Sequence, residues 1–194
     1  MIRVVTFDLP KYHICLLLNL LLTIFSSLFI ALFLTQAVAQ QSQVISGPFL
    51  VREGVTFDQN TDEPITGVVQ TYYEHGQLAT IENYKDGRRD GISEIFHYEN
   101  GNWQRRENYK EGRRDGLQEK FYENGQLQIK ENFIDGQKDG LREEFHSNGQ
   151  LRSRESYMDG ERTGFLEQYN GLGQLLSKQC FQKDRKAESS LCIP

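Results

Sequence analysis

The sequence has little tryptophan, proline and cysteine, and it has no excess of positive charge. It has one tryptophan, four prolines and three cysteines in 194 residues, and its net charge is −5. This mildly acidic, well-mixed charge provides no basic patch for a nucleic acid. No Gly-x-Ser-x-Gly motif, phosphate-binding loop or Cys-His pair is present. The sequence therefore predicts no enzyme, no cofactor, no metal site and no nucleic-acid partner.

The one long apolar run lies near the N-terminus. Residues 14–34, ICLLLNLLLTIFSSLFIALFL, contain no charged side chain. Ala37-x-Ala39 is the small-residue pattern that signal peptidase recognises, which predicts cleavage between Ala39 and Gln40. Residues 1–39 are thus predicted to be a signal peptide, or a signal-anchor whose apolar helix spans the membrane. Either alternative predicts an exported protein, periplasmic or secreted after cleavage, or otherwise anchored to the membrane.

A unit of about 24 residues recurs through the rest of the chain. The glycines that open successive copies are 24, 25, 24 and 24 residues apart. Residues 40–65 are expected to form a tether and an opening strand bent at Gly54, and residues 187–194 a C-terminal tail. The five copies are 66–89, 90–114, 115–138, 139–162 and 163–186.

Each unit predicts a β-hairpin. In the third copy, residues 116–122 and 127–133 alternate apolar and polar side chains on either side of Asn124-Gly125. Asn-Gly at this place favours a type I′ turn, in which both central residues have positive φ.

The units connect through a second turn, Asp135-Gly136 in the third copy. The extra residue of the second copy is expected to form a β-bulge within 96–98. The fold class predicted is all-β: an antiparallel β-hairpin repeat meander of about ten strands in one coiled, solenoid-like sheet. The N-terminal apolar helix would precede this sheet.

Glutamates recur in both strands of the unit, and even spacing predicts that they share the face of the aromatic columns. A solvated, partly paired face is one interpretation, and a recognition strip for a basic or polyhydroxylated ligand is the other. The expected cationic partners are Arg106, Lys130, Arg154 and the turn pairs Arg88/Arg89 and Arg113/Arg114. The candidate interaction surface comprises Trp103, Glu94, Glu107, Glu119, Glu131, Glu143 and Glu155.

Other polar groups of the repeats are weaker candidates for chemistry. His97 and His146 stand near positions where other copies have tyrosine, which indicates drift of the repeat and not a metal site. The Asp-Gly-x-x-Asp-Gly turns lack the ligand spacing of a calcium loop. Cys180 and Cys192 are the two cysteines of the exported part, and in an oxidising compartment they predict a disulfide, with two free thiols as the alternative.

The unit resembles a known repeat. F-Y-E-N-G-Q-L, followed by Y-K-D-G and then D-G, is similar to the MORN-variant repeat, and the match is close at 72–78 and 121–127. Residues 50–57 with 64–67 resemble the start of the YwqK-type antitoxin family. The resemblance covers about residues 50–186 and implies β-hairpin repeats, protein–protein or membrane-associated scaffolding and, for some members, an antitoxin or immunity role.

The predicted function is that of a non-catalytic exported repeat scaffold, which mediates protein–protein interaction in the cell envelope. An antitoxin- or immunity-like role is the form that the resemblance implies, and the export signal moves it from the cytoplasm to the envelope. The alternative is a cell-wall glycan-binding module, although Trp103 alone does not form the stacked cages of wall-binding repeats. The expected partner is an unidentified protein, and the membrane is contacted only by an uncleaved N-terminal segment.

Overall fold

The structure is a computed structural model, and it describes residues 44–45 and 47–192. The predicted helix over 14–34 and the predicted cleavage between Ala39 and Gln40 lie outside the described residues. Within the described residues, no helix is both long and apolar enough to span a membrane.

Most of the described residues lie in one twelve-stranded sheet with the order β1-β4-β5-β6-β7-β8-β9-β10-β11-β12-β13-β14. The strands are β1 Val44–Ile45, β2 Phe49–Arg52, β3 Val55–Asp58, β4 Gly67–Tyr72, β5 Leu78–Lys85, β6 Arg88–Phe96, β7 Trp103–Lys110, β8 Arg113–Phe121, β9 Leu127–Ile134, β10 Gln137–Phe145, β11 Leu151–Met158, β12 Glu161–Tyr169, β13 Leu175–Gln182 and β14 Arg185–Ala187. A short 3₁₀ helix, Ser189–Leu191, follows β14. Strands β4 to β13 are the ten strands of the five repeats, and the predicted antiparallel meander is confirmed.

The segment before the repeats is more ordered than the sequence suggested. The expected single opening strand is a separate antiparallel hairpin of β2 and β3. Its two-residue turn, Glu53-Gly54, has φ angles of 51° and 77°, so the chain reverses there and does not merely bend. Val44, within the expected tether, pairs in parallel with Val68 of β4.

This hairpin covers the first repeat through a relay of backbone hydrogen bonds. The N–H of Thr56 donates to the carbonyl of Gly87 over 2.7 Å, and the N–H of Gly87 donates to the carbonyl of Ile65 over 2.7 Å. Ile65, Val68 and Val69, at the start of the first repeat, are buried. The N-terminal edge of the repeats is thereby closed by residues from outside the repeat.

The two turns of each unit differ from the expectation. Asp135 and Gly136 have φ angles of 48° and 85°, which is the type I′ geometry, whereas at the Asn-Gly turn only Gly125 has positive φ. The prediction of type I′ at Asn-Gly was therefore wrong. The Oδ1 atom of Asn124 accepts from the N–H of Gln126 at 3.1 Å, and its Nδ2 donates to the carbonyl of Ser147 at 3.1 Å. These bonds hold Asn124 in a longer turn that reaches the next repeat.

The extra residue of the second copy lengthens its turn. Phe96 ends β6 and Trp103 begins β7, with residues 97–102 between them. The register shift at Ile95/Phe96 is matched by an equivalent shift at Lys120/Phe121 in the third copy. A bulge is thus common to both copies and does not account for the additional residue, so the predicted bulge within 96–98 was wrong.

Candidate interaction surface

The strand register divides the glutamates between the two faces of the sheet. Gln118 lies opposite Glu131, and Glu119 lies opposite Lys130. Successive residues of a strand point to opposite faces, so Glu119 and Glu131 are on different faces. The prediction that both glutamate columns share one face is therefore wrong. Side chains alternate between faces within one strand, but this alternation does not continue into the next strand, because the turn and the register shift at its base interrupt it.

We call the two sides the ladder face and the clamp face. The ladder face carries the first-strand glutamates Glu94, Glu119, Glu143 and Glu167. The clamp face carries the second-strand glutamates Glu82, Glu107, Glu131 and Glu155. The residues of the candidate surface are thus split: Glu94, Glu119, Glu143 and Trp103 lie on the ladder face, and Glu107, Glu131 and Glu155 lie on the clamp face.

Charges alternate along the ladder face. Arg106 Nε lies 3.3 Å from Glu94 Oε1, and its Nη1 lies 3.4 Å from Glu119 Oε2, so one guanidinium joins two repeats. Further along, Arg154 lies 2.9 Å from Glu143. Like charges in adjacent repeats would repel, and the cations between them remove that repulsion.

The same face exposes an apolar stripe beside the charges. Ile92, Leu117 and Leu141 are 42%, 36% and 52% exposed, and each precedes a ladder glutamate by two residues. They recur every second strand, which places them roughly 10 Å apart. A row of large exposed apolar side chains is typical of an interaction surface.

Trp103 lies on the ladder face among these groups. The guanidinium of Arg106 stands over its ring at 4.6 Å, and the ring of Phe121 lies 5.9 Å away in a tilted orientation. The indole is 42% exposed. The indole is thus an exposed aromatic surface that Arg106 holds in place. Arg106 is in turn bound by the carboxylates of Glu94 and Glu119.

The clamp face repeats one arrangement four times. A cation just after each type I′ turn binds the glutamate of the preceding strand and stands over the aromatic ring of the next repeat. Arg114 Nη2 lies 3.0 Å from Glu107 Oε1, and its guanidinium carbon lies 5.5 Å from the centre of the Phe133 ring. The other three sets are Glu82–Arg89–Tyr109, Glu131–Lys138–Tyr157 and Glu155–Arg162–Phe181.

Two of the clamp cations, Arg89 and Arg114, have a raised pKa. Partial burial alone would lower the pKa of Arg89, but the hydrogen bond with Tyr84 and the charge of Glu82 outweigh it, and the net pKa is raised. The same balance raises the pKa of Arg114, with Tyr109 and Glu107 as its partners. Both arginines are therefore cationic and fit structural ion pairs between repeats.

Some of these cations were not identified from the sequence, although they recur at equivalent positions of the repeat. Lys138 and Arg162 occupy the same position before the unit-opening residues as Arg89 and Arg114. Arg142 is different, because no other copy has a cation at its place. It lies 3.4 Å from Glu131 and 2.9 Å from Glu155. Of the partners expected from the sequence, Arg89, Arg106, Arg114 and Arg154 form these ion pairs.

The histidine column makes contacts between repeats. His146 Nε2 lies 3.1 Å from the carbonyl oxygen of Tyr169, and His97 Nε2 lies 3.4 Å from that of Phe121. The hydroxyl of Tyr122, in the same column, donates to the carbonyl of Phe145 over 2.8 Å. Histidine and tyrosine therefore serve the same structural purpose at this position.

The turn aspartates also bind backbone. Asp115 Oδ2 accepts from the N–H of Asp135 at 3.1 Å, and Asp139 Oδ2 accepts from that of Asp159 at 3.4 Å. Each carboxylate thereby stabilises the type I′ turn of its own unit. Among residues 44–45 and 47–192, no three His, Cys, Asp or Glu side chains are grouped to hold a metal ion.

The cysteine pair lies at the C-terminal edge of the sheet. Cys180 of β13 and Cys192 are joined by a disulfide, with their Cα atoms 5.8 Å apart. Both are buried. The bond holds the segment after β14 against the last repeat.

The fold and its two faces define a class: an all-β repeat protein in which each unit is a β-hairpin paired to the next. Three segments match the family of the MORN repeat variant, at residues 65–86, 114–135 and 138–159. They fall in the first, third and fourth repeats, and in these segments the unit is similar to the MORN repeat variant. No curated protein matches the sequence.

Proposed function

We propose that the protein is a non-catalytic, exported scaffold that binds a protein partner through the ladder face. The observation that carries the proposal is the row of Ile92, Leu117 and Leu141, exposed beside alternating charges. Apolar side chains supply affinity and flanking charges supply register. A partner that spans several repeats would meet the same chemistry at each step of roughly 10 Å.

Two features support a location outside the cytoplasm. The N-terminal segment has the apolar run and the Ala37-x-Ala39 pattern of an export signal. The Cys180–Cys192 disulfide supports an oxidising compartment. An immunity-like role in the envelope, as the resemblance to YwqK-type antitoxins implies, is one form that such a scaffold would take.

Photo-crosslinking in living cells tests the partner class. A photoreactive phenylalanine analogue is placed at Leu117 or Leu141, and at Arg105 as a matched control. Arg105 is exposed and lies opposite Lys120, on the clamp face. Crosslinks to one protein from Leu117 and Leu141, with none from Arg105, are expected.

Two results would contradict the proposal. One is equal crosslinking from Arg105, which would show contact without preference for a face. The other is retention of the protein on purified wall polysaccharide with no crosslinked protein, which would favour the glycan-binding alternative. Cell fractionation and N-terminal sequencing test the address, and a mature N-terminus at Gln40 is expected for a cleaved signal peptide.

A further inference from the structure

The last full strand of the repeats, β13, has a free edge along most of its length. It pairs with β12 along one side, whereas β14 pairs only with Cys180, Phe181 and Gln182 on the other side. Within the described residues, no strand pairs with residues 175–179 on that side. Leu175 and Leu176 are 53% and 67% exposed there.

Strand β14, which follows β13, has three residues instead of nine, and the cause is local. In the inner units, the strand after the type I′ turn has nine residues and passes through a glycine with positive φ, such as Gly116 at 95°. The equivalent place after β13 holds Glu188, whose φ is −66°. The disulfide and the 3₁₀ helix Ser189–Leu191 then keep the chain near the far end of β13.

On the ladder face, the last charged side chain of the row at this edge is a cation, Lys178. The ladder-face cations of the inner repeats, Arg106, Lys130 and Arg154, each have a glutamate opposite them on both neighbouring strands. Lys178 has one on a single side, Glu167, at 2.9 Å. Its side chain is 44% exposed, and its ammonium has donors left for a second carboxylate.

The inner repeats show which residues a strand would need in order to pair with the free edge of β13. In all four junctions between units, the incoming strand puts a glutamate at this register, namely Glu94, Glu119, Glu143 and Glu167. An apolar residue lies two positions before the glutamate, and an aromatic residue lies two positions after it. A strand with the pattern apolar-x-acidic-x-aromatic would therefore match the edge of β13.

We propose that residues 175–179 bind an extended segment of another protein as an added antiparallel strand, with an acidic residue opposite Lys178. Backbone hydrogen bonds would supply affinity, and Leu175 and Lys178 would select the sequence. The N-terminal 43 residues of this chain contain a single carboxylate side chain, Asp8, outside the apolar run. A partner of the stated pattern therefore fits better than that segment.

A charge-swap experiment tests the edge. A fluorescent peptide with the sequence of residues 115–123, DGLQEKFYE, is titrated against the purified full-length protein in mild detergent, and anisotropy is measured. Lys178→Glu is expected to weaken binding about tenfold, because an attractive cross-strand pair becomes a repulsive one. A peptide with lysine in place of its central glutamate should bind this variant as the original peptide binds the original protein.

The swap keeps the test independent of folding, since restored binding requires an intact variant. Absence of binding, or binding unchanged by Lys178→Glu, would overturn the proposal. So would a dimer of the protein that Lys178→Glu dissolves, because the edge would then be occupied by a second copy. The edge is separate from Leu117 and Leu141, so crosslinks from those positions report on the ladder face whatever the peptide does.

Discussion

Arg114 and Glu107 form an ion pair in which the carboxylate is buried and the guanidinium is partly exposed, with 3.0 Å between Nη2 and Oε1. Arg114→Ala would leave the Glu107 carboxylate without this partner. We expect a loss of about 1–2 kcal/mol in the free energy of unfolding, moderated by the exposure of Arg114. Urea unfolding measures it. Arg113→Ala removes the exposed neighbouring arginine, and an equal loss there would contradict this explanation.

The type I′ turns allow a paired test of the N-terminal hairpin. Gly87 and Gly136 have similar φ angles, 73° and 85°. A Cβ at position 136 would meet Arg113 at an ordinary 3.9 Å, whereas one at position 87 would collide with Val55 Cγ1 and lie 2.6 Å from the Thr56 carbonyl oxygen. Gly136→Ala should cost about 1–2 kcal/mol through backbone strain alone.

Gly87→Ala should cost a further 1–3 kcal/mol or so, because the hairpin of β2 and β3 must shift. Thermal or urea unfolding of both variants measures the difference. Equal losses would show that the hairpin does not pack on this turn in solution.

The disulfide should contribute to the stability of the C-terminal edge. The bond closes a segment with a sequence separation of 12 residues. For a loop of this size, restriction of the unfolded chain gives about 3 kcal/mol. The double variant Cys180→Ser/Cys192→Ser should lose this amount in urea unfolding, and reductant should then have no further effect on it. A reductant effect that persists in the double variant would refute the assignment.

Stability should fall in acid through Glu167. The hydrogen bond with Lys178 is the largest influence on this carboxyl and lowers its pKa. Because its pKa is lower in the folded protein than in the unfolded chain, its contribution is complete above the unfolded pKa. That contribution is lost as the pH falls through the folded pKa.

Glu167→Gln should therefore flatten the dependence of the urea midpoint on pH between about pH 6 and pH 3. Lys178→Gln should flatten it similarly, and the double variant should add little, because both changes remove the same pair. A fully additive double variant would show that the two side chains are not coupled.

The hairpin repeat could be predicted from residues that act locally. The spacing of Gly116 and Gly140 and the alternation on either side of Asn124 are properties of adjacent residues, and the ten strands follow from them. The interaction surface could not be predicted as well. Whether Glu119 and Glu131 share a face depends on the register across a turn, which is set by hydrogen bonds between strands.

The amino-acid sequence by itself determined that the protein is a meander of β-hairpins with columns of charge, because turns and alternation depend on short stretches of chain. Tertiary structure decided which glutamates face together, which turn is type I′ and where the sheet ends. Asn124 bonds to Ser147, and Glu188 stands where the inner units have a strand glycine with positive φ, close to the Cys180–Cys192 bond. Such effects arise between repeats, where each unit is positioned by its neighbour.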